Sequence, residues 1–180
     1  SPNSIELIGG ENIVVKNCQL GAQPTGITCK VQEVNKLSFI NNQVYPDGRE
    51  NLVLDACNNC VIEGNNFKSY YNGILVLNGN DNTVNKNIFW LTGAVQNQLL
   101  DHGDDFGIIN VKGNNNMVTS NSLSCEWAYA GAVTVNAVQG TGNVFKNCFV
   151  DNLESYRVFL VNAQTEVSNC VSSDKVSIVE

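Results

Sequence analysis

Short apolar runs return along the chain at a nearly constant interval: IEL at 5, ITC at 27, LVL at 52, ILV at 74, IIN at 108, VTV at 133 and VFL at 158. The steps are 22, 25, 22, 34, 25 and 25 residues. A second series keeps step with it half a period away. Aligning NIVVKNCQL, NKLSFINNQV, NNCVIEGNNF, DNTVNKNIF, NNMVTSNSL, TGNVFKNCF and TEVSNCV puts an Asn at 17, 42, 65, 87, 121, 147 and 169. Three residues before it stand Val14, Phe39, Ile62, Val84, Val118 and Val144; two after it stand Val44, Phe67, Phe89, Leu123, Phe149 and Val171. No ten-residue segment holds a helical apolar period, whereas two-residue alternation and Val/Ile runs recur throughout, so the elements are short strands. A repeat of this length built from strands predicts a β-solenoid, one repeat per coil, with like residues stacked about 4.8 Å apart.

The composition fits that reading. The 180 residues include 29 Asn and 15 Gly but only 3 Pro, so the turns use residues that tolerate left-handed backbone and bond their own main chain. Most Asn are therefore expected to form turn ladders, and Phe67, Phe89 and Phe149 an internal stack. In the IEL series consecutive positions are apolar, as in strands buried on both faces. The column Val53, Leu75, Ile109, Thr134 and Phe159 is read as an outer apolar stripe that a second copy of the chain covers. The step from Asn87 to Asn121 is about ten residues longer than its neighbours; the insertion, near 90–105, carries Trp90, Asp101, His102, Asp104 and Asp105.

With 43% hydrophobic and 15% charged residues the chain reads as a single domain over 1–180. A net charge of -7 leaves no cationic surface for nucleic acid or anionic lipid, and no apolar run is long enough to span a bilayer. Seven Cys is odd and irregular for a disulfide framework. Cys57 and Cys60 have C-x-x-C spacing without a second such pair, and the only His, His102, is distant, so no metal or other cofactor is expected. Cys148 and Cys170 fall in one slot on adjacent coils, which suits a disulfide or a pair of free thiols; they are taken as reduced. The chain opens Ser1-Pro2-Asn3 with no Met and no leader-like segment, so the first residue is read as a processing boundary, with N-terminal coils and a cap expected upstream.

With the coils aligned, the sequence resembles the inulin fructotransferases. The resemblance is carried by NSIELIG at 3–9, GNNFKSYYNGILVL at 64–77, DDFGIINVKGNNNMVTSN at 104–121 and GTGNVFKN at 140–147. It implies a right-handed parallel β-helix of about seven coils, a trimer, a secreted bacterial protein and an intramolecular fructosyl transfer on inulin-type fructan that releases a difructose anhydride, with no cofactor. Such a reaction needs an acid at the glycosidic oxygen and a second carboxylate. The IEL match maps the family's Glu onto Glu6, while its Asp falls before residue 1. Tyr71, His102, Asp104 and Asp105 are candidate substrate-binding residues across a subunit contact. Within one subunit the two Asp are four coils, roughly 19 Å, from Glu6, too far to pair with it.

Other readings compete. Glu6 is equally a solvated carboxylate of a terminal coil, and the acidic loop a set of turn residues. Gly103-Asp104-Asp105 also resembles polygalacturonases, whose remaining motifs are absent, and calcium-assisted lyases would draw on Asp101, Asp104 and Asp105. The alternative from another class is a non-catalytic solenoid that oligomerises or binds glycans.

Overall fold

The computed structural model of the chain describes residues 3–22, 26–45, 49–71, 73–92, 105–125, 133–151, 157–172 and 175–179. His102, Asp104 and Asp101 lie outside them. The described residues form a parallel β-helix. Coil 1 is β1 (Ile5–Glu11), β2 (Val14–Lys16) and β3 (Gln19–Leu20). Coil 2 is β4 (Ile27–Asn35), β5 (Ser38–Ile40) and β6 (Gln43–Val44). Coil 3 is β7 (Glu50–Asp55), β8 (Val61–Glu63) and β9 (Asn66–Ser69); coil 4 is β10 (Leu75–Asn78), β11 (Thr83–Asn85) and β12 (Ile88–Leu91). Coil 5 is β13 (Ile109–Val111), β14 (Met117–Thr119) and β15 (Ser122–Cys125); coil 6 is β16 (Val135–Ala137), β17 (Val144–Lys146) and β18 (Phe149–Asp151). Coil 7 has β19 (Phe159–Asn162) and β20 (Glu166–Ser168), and β21 (Val176–Val179) pairs above β19.

The first strand of every coil joins an eight-stranded sheet A, the second a seven-stranded sheet B and the third a six-stranded sheet C. Strand alternation then decides what fills the interior. Sheet A sends in Cys29, Leu52, Leu75, Ile109, Val135 and Phe159, in register. In sheets B and C, Phe39, Phe67 and Phe89 stack with ring centroids 6.1 and 5.0 Å apart and planes within 13°.

The Asn series occupies two adjacent columns rather than one. Asn42, Asn65, Asn87 and Asn121 form a buried ladder, each amide Nδ2 donating to Oδ1 of the next coil's Asn at 2.9–3.0 Å. The residue before each, Asn41, Gly64, Lys86 or Ser120, holds the left-handed φ that makes the turn. On coils 1, 6 and 7 the left-handed residue is itself the Asn, at 17, 147 and 169, and Cys18, Cys148 and Cys170 take the inward slot. Aligning every Asn as one column therefore misplaces the terminal copies by one residue. Val14 points outward and is 57% exposed; Phe149 is 51% exposed, outside the stack predicted for it, and Val150 and Phe145 are buried in its stead. A second ladder, Asn82, Asn116 and Asn143, runs along the next turn.

The predicted outer apolar stripe is corrected too. Leu75, Ile109 and Phe159 face the core, and Thr134 is buried just before β16. Consecutive apolar positions hid the alternation, and only Val53 of that column faces out. The outward column of sheet A is Glu6, Lys30, Val53, Val76, Asn110, Asn136 and Leu160. It is mostly polar, so the argument for a second copy on this face loses its basis.

Candidate functional site

Outward side chains of sheet A on coils 2 to 5 enclose a groove of about 230 Å³. Lys30, Val53 and Val76 come from one column; Gln32, Asp55 and Asn78 come from the parallel column two residues on, and Lys112 follows β13. The two valines make an aliphatic floor and the amides, carboxylate and ammonium groups make its walls. Asn78 Nδ2 donates to Asp55 Oδ1 at 2.7 Å, which ties the two side chains together and leaves Asp55 Oδ2 and the Asn78 side-chain carbonyl as further acceptors among the groove residues.

Glu6 faces outward from β1 at the end of the same column, half exposed, and takes an ion pair from Lys30 Nζ at 3.3 Å. An exposed pair of this kind stabilises the fold by less than about 1 kcal/mol. It does, however, occupy the carboxylate. The nearest carboxylate in the groove, Asp55, is two coils and two residues away, roughly 12 Å between Cα atoms. That exceeds the roughly 5–10 Å between the carboxyl groups of a glycosidase pair.

The remaining predicted site residues are not gathered at Glu6. Tyr71 is half-buried in the turn after β9, its amide donating to Ser69 Oγ at 3.0 Å. Asp105 sits in the turn before β13, four coils from Glu6. Its Oδ1 accepts from Arg157 Nη1 at 2.8 Å and its backbone carbonyl from Asn136 Nδ2 at 2.6 Å, so it ties three successive coils together. The groove residues Lys30, Gln32, Asp55, Asn78 and Lys112 were missed by sequence reasoning. The signal for them was available: each lies on, or just past, the outward parity of a sheet A strand, which the assumed outer column follows at Val53 and misses by one residue at Leu75 and Ile109.

Two thiols stand apart from the others. Cys148 and Cys170, 3% and 6% exposed, take the ladder slot on coils 6 and 7, and the Cys148 amide donates to Cys170 Sγ at 3.4 Å. Donation by the Cys148 thiol and amide, with a further backbone donor, draws the Cys170 thiol down to about 7, while Cys148 is pushed up by that same sharing and by burial. Burial pushes Cys29 up to about 12 and Cys60 up to about 11. All seven cysteines are free thiols. No helix among the described residues is long and apolar enough to cross a membrane.

A family model described as periplasmic copper-binding protein (NosD) matches residues 1–168. No curated protein matches the chain. Among solved structures, DFA-IIIase from Arthrobacter chlorophenolicus A6 without its lid superposes with a TM-score of 0.79 at 19% identity, over 99% of this chain and 52% of that one. The same protein in complex with GF2 gives 0.77 at 22%, over 96% and 46%. In complex with DFA-III it gives 0.70 at 19%, over 96% and 50%. This chain thus spans about half the length of those structures. The likeness bears out, at the level of the fold, the resemblance to inulin fructotransferases.

Proposed function

The chain belongs to the family described as periplasmic copper-binding protein (NosD), and within that family we propose that this β-helix binds carbohydrate, of the neutral fructan class, in the groove on sheet A. The observation that carries the reading is the groove's make-up: an aliphatic floor of Val53 and Val76 inside a wall of Lys30, Gln32, Asp55, Asn78 and Lys112. A furanose ring offers one apolar C–H face and a rim of hydroxyls, and such a floor and wall match both. The likeness to a fold solved with GF2 and with DFA-III supports the choice of sugar. Calorimetric titration with an inulin-type trisaccharide and with inulin tests it. Saturable binding that Val53→Arg abolishes supports the reading, and no heat with either sugar, from a protein whose melting is intact, overturns it.

A second reading, intramolecular fructosyl transfer, is favoured by the place of Glu6 at the head of the column that floors the groove. Glu6 would protonate the leaving oxygen once substrate displaced Lys30, and a second carboxylate would have to come from another subunit or another part of the protein. A difructose anhydride formed by the wild type and absent with Glu6→Gln would support it. The family's description also supports a periplasmic location, in line with the secreted protein expected from the resemblance.

That description raises copper. Among the described residues no three or more His, Cys, Asp or Glu side chains come together as a metal-holding group, and the single Met, Met117, is half exposed on the outside of sheet B. A site of three or four such ligands is not built from them. The donors that suit copper are the two stacked sulfurs of Cys148 and Cys170, because soft thiolates select copper(I). Copper(I) bound there would supply a soft, redox-active centre.

A further inference from the structure

We propose that Asp55 and Asn78 read a pair of vicinal hydroxyls, so that the groove binds β(2→1)-linked and β(2→6)-linked fructofuranosyl chains alike. This rests on the glycan reading above and names the edge of the sugar that is held.

Position comes first. Asp55 and Asn78 are direct partners across β7 and β10, and two residues before them Val53 and Val76 are partners in the same way. The four stand as a rectangle, about 4.8 Å across the coils and roughly 6.7 Å along the strands. One side of it is aliphatic and the other carries oxygen and nitrogen, on the scale of a single sugar ring. A furanose ring whose C–H face lies on the two valines brings one hydroxyl-bearing edge against Asp55 and Asn78.

The bond between the two side chains decides what that edge must offer. Asn78 Nδ2 donates to Asp55 Oδ1 at 2.7 Å, so one amide hydrogen and one carboxylate oxygen satisfy each other. Two acceptor oxygens remain on neighbouring coils, Asp55 Oδ2 and Asn78 Oδ1, with one further amide hydrogen. Hydroxyls on adjacent ring carbons supply two donors side by side, and the one given to Asp55 makes a charge-assisted bond. Charge then selects a neutral ligand. Lys30 is held by Glu6 at 3.3 Å, and Asp55 and Lys112 line the groove with opposite signs, so these four formal charges sum to zero. An ammonium donor would meet the lysines and an anionic sugar would meet Asp55, whereas hydroxyls meet neither repulsion. In a fructofuranosyl unit linked through C2, the hydroxyls on C3 and C4 are free whether the next bond runs to C1 or to C6. A groove that holds this diol therefore does not distinguish the two linkages.

Calorimetric titration of the full chain with an inulin-type and a levan-type trisaccharide tests the assignment, and the two dissociation constants should agree within about threefold. Methyl β-fructofuranoside should compete with either. Its 3,4-dideoxy analogue should compete about tenfold less well, because the acceptors of Asp55 and Asn78 are then left unpaired, while the 1-deoxy and 6-deoxy analogues should match the parent. Asp55 is half-buried and Asn78 exposed, so Asp55→Ala and Asn78→Ala should keep the wild-type melting temperature, and each should weaken both trisaccharides by about tenfold. A preference above about tenfold for one linkage, a dideoxy analogue that competes like its parent, or wild-type binding by both variants would overturn the diol assignment. Val53→Arg would still abolish binding in those cases, and the glycan reading would stand. No heat with either trisaccharide from the folded wild type would overturn both.

Discussion

The Cys18 amide donates to Asn42 Oδ1 across 3.0 Å, so Cys18, and not its neighbour Asn17, stands at the foot of the buried ladder. Asn17 instead adopts φ 57° and turns the chain. The same division holds at Asn59-Cys60, where the Cys60 amide donates to Asn82 Oδ1 at 2.8 Å while Asn59 has φ 56°. Asn thus does two jobs here. One exploits tolerance of left-handed backbone; the other uses an amide with two donors and an acceptor that serves two hydrogen bonds.

Substitution separates these jobs. Asn87 donates to Asn121 Oδ1 and Ile62 O, and accepts from the backbone and side-chain amides of Asn65, all at 2.9–3.0 Å. Asn87→Ala strands several buried polar groups and should cost about 3 kcal/mol. Asn147→Gly keeps a left-handed residue in an exposed turn and should change stability by less than about 0.5 kcal/mol. Urea midpoints of the two variants give the comparison. Equal losses would mean that the ladder amides carry no special stabilisation.

Glycine marks another column at a turn. A Cβ on Gly113 would stand 1.7 Å from the Gly79 carbonyl oxygen, and one on Gly79 would stand 1.8 Å from that of Cys57. The contacts are backbone to backbone across coils, so no rotamer change relieves them. Gly113→Ala should cost more than about 3 kcal/mol, or prevent folding. Gly9 has no neighbour within 4 Å of such a Cβ but sits at φ +69. Its replacement by Ala should cost only the backbone term of about 1–2 kcal/mol, read as a smaller drop in melting temperature.

How much of this was legible follows from the ladder. Repeat length, strand content and coil number came through because the period is a property of spacing, which survives a local slip of one residue. Facing direction did not, because it depends on parity. Where an Asn-Cys pair replaced an X-Asn pair, aligning on Asn reversed the parity of three coils and placed Phe149 inside. In sheet A the runs at 52–54, 74–77 and 158–161 are apolar at both parities, so nothing local distinguished Leu75 from Val76. That error turned an amide-rich groove into an apparent apolar stripe. Glu6, identified by its own motif and not by the Asn alignment, is untouched by that slip and faces outward.

The ring stack gives a direct test of facing. Phe67 is sandwiched between Phe39 and Phe89 and fully buried, whereas Phe149 is half exposed. Phe67→Ala should cost about 3–5 kcal/mol from lost burial and the cavity left behind. Phe149→Ala should cost below about 1 kcal/mol. Reversed magnitudes would restore the parity that the Asn alignment suggests.

Stability should also depend on alkaline pH, through thiols rather than carboxylates. Cys29 and Cys60 have thiols raised by burial to about 12 and about 11, from an ordinary value of 9.0. Between these values the unfolded chain gives up protons that the folded chain keeps, so the folded state binds more protons and stability falls as pH rises. The contribution of these two thiols is complete below about pH 9 and is lost progressively from there towards pH 11–12, with a slope of order 1 kcal/mol per pH unit for each. Cys170 acts in the opposite sense. Its thiol lies near 7 in the folded chain, so it adds stability as pH rises from about 7 to 9 and loses it as pH falls through 7. Urea denaturation between pH 7 and 11 should therefore show a modest rise and then a steep decline. Cys60→Ala, which cannot ionise, should flatten the decline, and Cys170→Asn should remove the rise. A decline that persists unchanged in Cys60→Ala would assign the alkaline limit to other groups.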